Sequence, residues 1–361
     1  MADMPQPAHE SIKAKASELG FLECAVVPAG TLAEEKTCLT RWTEEGMQGT
    51  MDYMARNRDK RLDPRLLVEG ARTMIIVLHN YYSPELPADP EAPIISRYAR
   101  GKDYHQVIKK KLGELLRFIQ TEITPCHGRA FTDSAPVLER AWARRAGLGW
   151  IGKNSMLISP EHGSYFFIGE LIIDAEIPTD QTVRPQVRPV HSPGGMVPEA
   201  SPGQAGFSGE SPEDPARGPA GITANDSGEV ITEIIDRCGT CTRCIDACPT
   251  RAIITPRIID ARRCISYQTI ELRGDQNPEL TPLFRNRLFG CDICQEVCPW
   301  NRKATPHHEP DYQPLPGLLQ LTREEWLNMT EEQFNARFRE SPLRRTGYAG
   351  IRRTLLNIQS S

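Results

Sequence analysis

The sequence CGTCTRCIDACPT (238–250) decides the fold of the region around it. Its cysteines follow the spacing Cys-x2-Cys-x2-Cys-x3-Cys-Pro, the run with which bacterial ferredoxins bind 4Fe–4S clusters. A second run, GCDICQEVCPWN (290–301), repeats this spacing from its second cysteine onward, and Cys264 lies upstream of it. The two runs therefore predict a ferredoxin-like region with two clusters.

The fourth cysteine of such a run ligates the neighbouring cluster in two-cluster ferredoxins. The sequence therefore predicts one 4Fe–4S cluster on Cys238, Cys241, Cys244 and Cys298, and another on Cys248, Cys264, Cys291 and Cys294. Zinc fits less well, because structural zinc takes its cysteines in separated pairs. Electron transfer is the expected role, and a purely structural pair of clusters is the alternative.

Composition excludes several classes of protein. Among the 361 residues, 43 Lys and Arg face 47 Asp and Glu, so no global positive charge indicates nucleic-acid binding. The apolar runs are too short for a membrane-spanning helix, and the polar start MADMPQPAHE is not a signal peptide. We expect a cytoplasmic monomer without a membrane partner.

Cysteines that are clustered in such a chain favour metal binding over disulfides. The three cysteines outside the two predicted sets are expected to be small buried residues: Cys24, Cys38 and Cys126.

A Pro- and Gly-rich break divides the chain. Residues 183–222 contain 8 prolines and 7 glycines, a composition that cannot bury a core. The predicted organisation has four parts: a catalytic domain (1–182), a flexible linker (183–228), a two-cluster domain (229–310) and a basic helical tail (311–361).

Helix and strand patterns alternate in the first part, which predicts an α+β domain. Asp103 is the expected N-cap of a helix that reaches about residue 122. Residues 156–158 and 164–173 are expected to pair as a hairpin. The other predicted helices are 11–19, 32–45 and 137–145, and the other predicted strands are 22–27, 73–79 and 130–132.

The glycine-rich sequence GLGWIGKN (147–154) is close to two nucleotide-binding motifs. The dinucleotide motif needs a strand before it and a helix after it, whereas here a helix precedes and a strand follows. A phosphate-binding loop would need Ser or Thr in place of Asn154. We therefore interpret the sequence as a turn that ends a helix and brings Lys153 and Asn154 to the end of a strand.

Taken together, these stretches resemble the epoxyqueuosine reductases, cobalamin and iron–sulfur enzymes that complete queuosine synthesis in tRNA. The resemblance extends over most of residues 20–301 outside the linker and continues into 342–353. Besides the two cysteine runs, it rests on RYARGKDYH (97–105), FTDSAPVLERAWARRAGLGWIGKNSMLI (131–158), GSYFFIGE (163–170), RCISYQTIE (263–271) and PLRRTGYAGIRR (342–353).

The resemblance implies a nitroreductase-like, cobalamin-binding core that receives electrons from the clusters, themselves reduced by an external low-potential donor. The implied substrate is the wobble nucleoside of the tRNAs for Asp, Asn, His and Tyr. Long family members add helical repeats after the cluster domain. Because this chain stops at residue 361, the arginine-rich tail is the candidate for gripping tRNA, with a solvated helix face as the alternative.

The family's proton donor matches Asp133, which must protonate the departing epoxide oxygen. An apolar pocket is expected to raise its pKa. The alternative role of Asp133 is the N-cap of a helix that begins near Val137. The residues implied around the cobalamin are Arg61, Ser96, Asp133 itself, Leu157, Ile168, Ser266, Asp292 and Ile293.

Two other functions stay open from the sequence. A cobalamin-dependent reductive dehalogenase would share both halves of the chain, although such enzymes usually carry a twin-arginine signal that is not seen here. A non-catalytic cobalamin carrier or electron-transfer protein is the other alternative. A carrier would not need two clusters, and a plain ferredoxin would not need the first domain.

Overall fold

The computed structural model describes residues 7–179, 222–224, 230–232 and 236–359. Residues 7–179 and 236–359 belong to one compact unit, and β8 (Ile222–Ala224) with β9 (Val230–Thr232) forms a separate antiparallel hairpin. The predicted linker, 183–228, lies outside the described residues except for β8.

The first domain is built on a four-stranded antiparallel sheet in the order β1-β2-β7-β4. Its strands are β1 (Glu23–Pro28), β2 (Thr73–Asn80), β4 (Gly128–Phe131) and β7 (Phe166–Ile173). Its helices are α1 (Ala8–Glu18), α2 (Ala33–Glu44), α3 (Arg58–Leu62), α4 (Tyr104–Phe118) and α5 (Glu139–Arg145). A π-helical turn, Ile119–Ile123, extends α4. The predicted α+β character is confirmed, and Asp103 caps α4 as predicted.

The predicted hairpin of 156–158 with 164–173 is wrong. The short strand β6 (Leu157–Ile158) pairs with β5 (Trp150–Ile151), whereas β7 pairs with β2 and β4. The physical reason is burial: all eight residues of β7 are buried, so β7 takes a central position with a strand on each side.

The two faces of the sheet carry separate cores. On one face, α4 contributes Ile108, Leu112 and Leu115, all fully buried against Ile75 and Val77 of β2. On the other face, α5 contributes Trp142 and Ala143, which pack against alternate residues of β2 and β7. This second face also receives the loop that carries Asp133.

The cluster region is a set of short elements. Its helices are α6 (Arg243–Asp246), α7 (Ile265–Ile270) and α8 (Ile293–Glu296), and its strands are β10 (Ile253–Thr255), β11 (Ile258–Ile259) and β12 (Arg287–Phe289). Strand β12 pairs in parallel with β3 (Ile94–Ile95) of the first domain, which fastens the two regions together. Single 3-10 turns connect the elements at Asp52–Met54, Pro64–Leu66, Arg97–Ala99, Ala261–Arg263, Thr281–Phe284, Pro299–Lys303, Pro310–Tyr312 and Pro342–Arg345.

The C-terminal residues complete the core of the cluster region. Helices α9 (Arg323–Asn328), α10 (Glu331–Arg337) and α11 (Gly347–Gln359) follow one another there. Trp326 and Phe338 stack with ring centroids 5.6 Å apart, in one buried cluster with Phe289 of β12. None of the helices in the described ranges is both long enough and apolar enough to span a membrane.

Candidate iron–sulfur and proton-donor site

The structure brings together the first predicted set of cysteines. Cys238, Cys241, Cys244 and Cys298 line a common cavity. Burial raises the pKa of Cys244 to about 11, and the neighbouring cysteines of the same set add to the rise. The turn after α5 supplies the rim of the cavity: Trp150 Nε1 lies 3.5 Å from Cys238 Sγ, and Lys153 Nζ donates to the Cys241 carbonyl at 3.0 Å.

The cysteines of the second predicted set also lie close enough to one another to interact electrostatically. Burial raises the pKa of Cys291 to about 12, and Cys264 adds to that rise. Burial also raises the pKa of Cys264, with Cys248 contributing, and that of Cys294, with Cys291 and Cys264 contributing. In the described part of the chain, no three His, Cys, Asp or Glu side chains are arranged to hold a single metal ion. A cubane is a larger body that takes one thiolate at each of four iron corners.

The three remaining cysteines are less buried than predicted. Cys38 is exposed, and Cys24 and Cys126 are half-buried. The exposure of Cys38 follows from its position on α2, whose buried residues are Leu39 and Thr43.

Asp133 lies directly after β4 on a tight loop. Its φ of 53° is a left-handed backbone conformation that is uncommon outside glycine. Tyr104 Oη donates to Asp133 Oδ2 at 2.6 Å, and His105 Nε2 lies 3.5 Å from the same oxygen. Helix α5 begins at Glu139 after Leu138 and has no side-chain cap, so the alternative role of Asp133 as an N-cap is wrong.

The expected rise in the pKa of Asp133 is not found. Desolvation raises this pKa, but hydrogen bonds from His105 and Tyr104 outweigh it and hold the pKa below its ordinary value. The side chain is 61% exposed, so an ionised carboxylate is tolerated. Desolvation lowers the pKa of His105, but the hydrogen bonds and charges of Asp103 and Asp133 outweigh this effect. The pKa of His105 is therefore raised to about 9. Near neutral pH the two residues therefore form an ion pair.

Two other acids hold protons in this site. The pKa of Glu139 rises to about 8, first because of burial and then because of the charge of Asp133. Glu170, in the middle of β7, is fully buried, and its carboxyl oxygens have no hydrogen-bond partner within the described residues. Burial, followed by the charges of Glu139 and Asp133, places the pKa of Glu170 well above its ordinary value.

Ser96, Asp292 and Ile293 form one part of the predicted cofactor surface. The buried Ser96 hydroxyl donates to Asp292 Oδ1, and the Arg97 N–H donates to Oδ2 at 2.8 Å. This close approach requires Gly290, whose φ is 72° and where a Cβ atom would lie 2.6 Å from Ser96 Cβ. Ile293 begins α8 directly after Asp292.

Tyr98 connects this surface with the Asp133 loop. Burial raises the pKa of Tyr98 well above its ordinary value, and the charges of both Asp133 and Asp292 add to the rise. The loop itself is fastened to β7, because the Thr132 hydroxyl donates to the Ile168 carbonyl at 2.8 Å. Of the predicted cofactor residues, Ile168 thus contacts the Asp133 loop directly, and the charge of Asp292 acts on the same tyrosine as the charge of Asp133.

The remaining predicted cofactor residues lie on separate elements. Leu157 is buried in β6, and Ser266 lies on α7 beside Tyr267, whose Oη accepts the Thr50 N–H at 2.8 Å. Arg61 is buried on α3, with Nη2 donating to the Tyr53 carbonyl at 3.0 Å and with Nε unpartnered within the described ranges.

The arginines of the C-terminal tail are not equivalent. Arg345 makes a two-bond ion pair with Glu271, and Arg353 donates to the carbonyls of Leu272, Gly274 and Gln268. Arg352 donates to the Leu327 carbonyl and Arg337 to that of Pro316. Two arginines, Arg339 and Arg344, are exposed. Their side chains make no bond to another helix or strand of the described ranges; the Arg344 guanidinium donates to the Arg339 carbonyl.

Sequence reasoning missed four residues of this site: Tyr104, His105, Glu139 and Glu170. A signal was available for Glu170, because it is the one charged residue in the apolar strand FFIGELII (166–173). Tyr104 and His105 follow the predicted N-cap, but the sequence does not show that α4 begins beside Asp133.

Comparisons with known proteins agree along nearly the whole chain. Residues 237–301 match the model of the 4Fe-4S double cluster binding domain, and 61–134 match that of epoxyqueuosine reductase QueG, DUF1730. The epoxyqueuosine reductase of Cellulophaga algicola is 43% identical, covering 95% of this chain and 95% of that protein. The Pseudomonas aeruginosa enzyme is 41% identical, covering 95% of this chain and 83% of that protein.

Solved structures of these enzymes have the same fold. A crystal structure of epoxyqueuosine reductase with a tRNA-Tyr epoxyqueuosine-modified stem loop gives a TM-score of 0.76 at 25% identity, covering 97% of this chain and 80% of that one. The Bacillus subtilis enzyme, solved with its catalytic aspartate loop swung out of the active site, gives the same values. This chain belongs to the epoxyqueuosine reductase family and is therefore an oxidoreductase.

Proposed function

We propose that this chain reduces epoxyqueuosine to queuosine at the wobble position of the tRNAs for Asp, Asn, His and Tyr, the last step of queuosine synthesis. The observation that carries the proposal is the 43% identity to a named epoxyqueuosine reductase across 95% of both chains. We further propose a cytoplasmic monomer that takes electrons from an external low-potential donor.

The two sets of four cysteines fit two 4Fe–4S clusters. The cavity that Cys238, Cys241, Cys244 and Cys298 line supports the crossed assignment, because Cys298 comes from the second run. When bound, the clusters supply electrons one at a time. We propose that the donor docks over this first set, where Lys153 and the exposed Arg243 give the rim a positive charge.

Cobalamin fits the residues between the sheet domain and the cluster region. Its corrin ring carries amide side chains that need hydrogen-bond partners. Arg61 Nε and Gln48 Oε1 are among the buried polar atoms that lack a partner within the described residues. We propose that Arg61, Ser96, Leu157, Ile168, Ser266, Asp292 and Ile293 hold it in a nitroreductase-like core. Bound there, it supplies a strongly reducing cobalt centre.

We propose Asp133 as the proton donor. Reduction of an epoxide to an alkene consumes two electrons and two protons and releases the oxygen as water, so an acid must act on that oxygen. Asp133 is exposed, and its carboxylate lies beside the protonated ring of His105. We propose that His105 returns a proton to Asp133, because it is the adjacent cation with a titratable proton.

For tRNA binding we propose the exposed pair Arg339 and Arg344. Arg345, Arg352 and Arg353 are engaged in bonds within the chain, which leaves them fewer donors for phosphate. Phosphate contacts by arginine make binding depend strongly on salt.

The test is anaerobic conversion of epoxyqueuosine-containing tRNA by reconstituted protein, with nucleosides measured by mass spectrometry. We expect queuosine to form only when cobalamin, both clusters and a low-potential reductant are present. Cys294→Ala should abolish conversion, whereas Cys38→Ala, which removes an exposed thiol outside both sets, should not. Conversion that is independent of cobalamin, or no conversion by the fully loaded wild-type protein, would overturn the proposal.

A further inference from the structure

The Asp133 loop is fastened to the domain at its backbone as well as at its side chain. The Asp133 N–H donates to Glu139 Oε1, across six residues of sequence. The preceding residue is fixed by the Thr132 hydroxyl on the Ile168 carbonyl. The acceptor oxygen of Glu139 therefore lies where it can hold the left-handed turn that presents Asp133.

We propose that Glu139 is a positioning residue that latches the Asp133 loop, through the Asp133 N–H, in the conformation that this structure shows. The inference rests on the proposed role of Asp133 as proton donor. In this proposal, the Glu139 hydrogen bond favours the loop conformation of this structure over one in which the loop has swung out of the site.

The base of the latch is rigid. Glu139 is the first residue of α5, and Trp142 and Ala143 of the same helix are fully buried against the sheet. A carboxyl group at a helix start ordinarily interacts with the free N–H groups of its own first turn. Here it accepts the N–H of Asp133, which links the rigid helix to the loop.

A latch is needed because the turn is strained. A non-glycine residue in the left-handed region persists where its surroundings fix it. The charged or titratable groups around Glu139 include His105 from α4, Asp133 from the loop, Arg140 from α5 and Glu170 from β7. Three carboxyl groups so close together disfavour one another, so packing alone does not account for an acid at position 139.

The experiment compares Glu139→Ala, which removes the acceptor, with Glu139→Gln, whose amide oxygen still accepts the N–H. Hydrogen exchange of the segment 131–138 is measured by mass spectrometry on the cluster-loaded protein, with and without cobalamin. We expect exchange in the Ala variant to rise about 10-fold, the effect of losing one hydrogen bond to an acidic group. The Gln variant should stay near wild type.

Single-turnover conversion by pre-reduced enzyme gives the second readout. The Ala variant should react about 100-fold more slowly, a typical cost of misplacing a reacting group. The Gln variant should remain within a few-fold of wild type. Glu122→Ala, an exposed glutamate in the turn after α4, serves as the matched control. If the Ala variant does not accumulate, Glu139→Leu removes the acceptor while filling more of the space.

Unchanged exchange in the Ala variant would overturn the latch, and so would a Gln variant as slow and as mobile as the Ala variant. The exchange experiment needs no substrate. A wild-type protein that shows the latch but does not convert epoxyqueuosine would therefore contradict the proposed function and leave the latch standing.

Discussion

Replacing Asp133 with Asn tests the proposed chemistry most directly. The substitution keeps the size of the side chain, and the amide oxygen can still accept the Tyr104 hydroxyl, which now lies 2.6 Å from Oδ2. It removes the carboxylate that, in the proposed chemistry, takes a proton from His105 and passes it to the epoxide oxygen. We therefore expect cobalamin binding, cluster content and cobalt reduction to be unchanged, because none of these requires a proton from Asp133.

The expected loss in rate is that of a general acid, about 10²–10⁴-fold. At about 1.4 kcal/mol for each factor of ten, this corresponds to roughly 3–5.5 kcal/mol of transition-state stabilisation. The contacts favour the upper part of that range, because His105 beside Asp133 has a raised pKa and can resupply the acid at neutral pH. A variant without Asp133 loses both the acid and this supply.

The assay is single-turnover conversion of epoxyqueuosine in tRNA by chemically pre-reduced enzyme, so that electron delivery does not limit the rate. Asp275→Asn, an exposed aspartate in the cluster region, is the matched control and should react like wild type. The wild-type rate should fall as the pH rises through about 9, where His105 loses its proton. Conversion by the Asn variant at near the wild-type rate would show that the proton comes from elsewhere.

Three further predictions concern other parts of the molecule. Cys298→Ala should remove the cluster of Cys238, Cys241 and Cys244, as measured by iron and sulfide content and by electron paramagnetic resonance; loss of the Cys291 cluster alone would contradict the crossed assignment. The double variant Arg339→Gln/Arg344→Gln should weaken tRNA binding and flatten its salt dependence. The double variant Arg352→Gln/Arg353→Gln should mainly lower the thermal unfolding temperature. The reverse pattern would show that the arginines of α11 bind the tRNA instead. Glu170→Gln should stabilise the fold relative to wild type in urea unfolding, increasingly as the pH rises above about 4.5. The folded state holds the Glu170 proton well above that ordinary pKa, so wild type loses up to about 1.4 kcal/mol per pH unit until the folded-state pKa is reached. Parallel stability curves for wild type and Glu170→Gln would show that Glu170 is already ionised in the fold.

Local sequence signals predicted the local features well. The spacing of the cysteines fixes which ones share a short loop, and Asp103 before an apolar stripe marks the start of α4. The turn at 147–154 was also predicted: α5 ends before it, β5 follows it, and Lys153 and Asn154 donate to carbonyls of Cys241 and Cys294.

The errors arose where distant parts of the chain meet. The closeness of 156–158 and 164–173 in sequence favours a hairpin between them, but central burial gives β7 two other partners. The pKa of Asp133 depends on Tyr104 and His105, about thirty residues earlier in the chain, and sequence spacing does not show that contact. The sequence shows that the tail is rich in arginines. It does not show that the Glu271 carboxylate and several backbone carbonyls bind these arginines.

The three neighbouring acids Asp133, Glu139 and Glu170 lower the stability of the fold. Glu170 has no hydrogen-bond partner among the described residues, although an unsatisfied buried polar group costs about 1–3 kcal/mol. Burial and mutual repulsion give Glu139 and Glu170 protons near neutral pH, while the hydrogen bonds of Asp133 keep it ionised. Neighbouring acids whose pKa values are pushed apart are typical of sites that move protons. A sequence selected for stability alone would have an apolar residue of similar volume in place of Glu170, so an acid at this position of β7 is consistent with the proton chemistry proposed for the Asp133 loop.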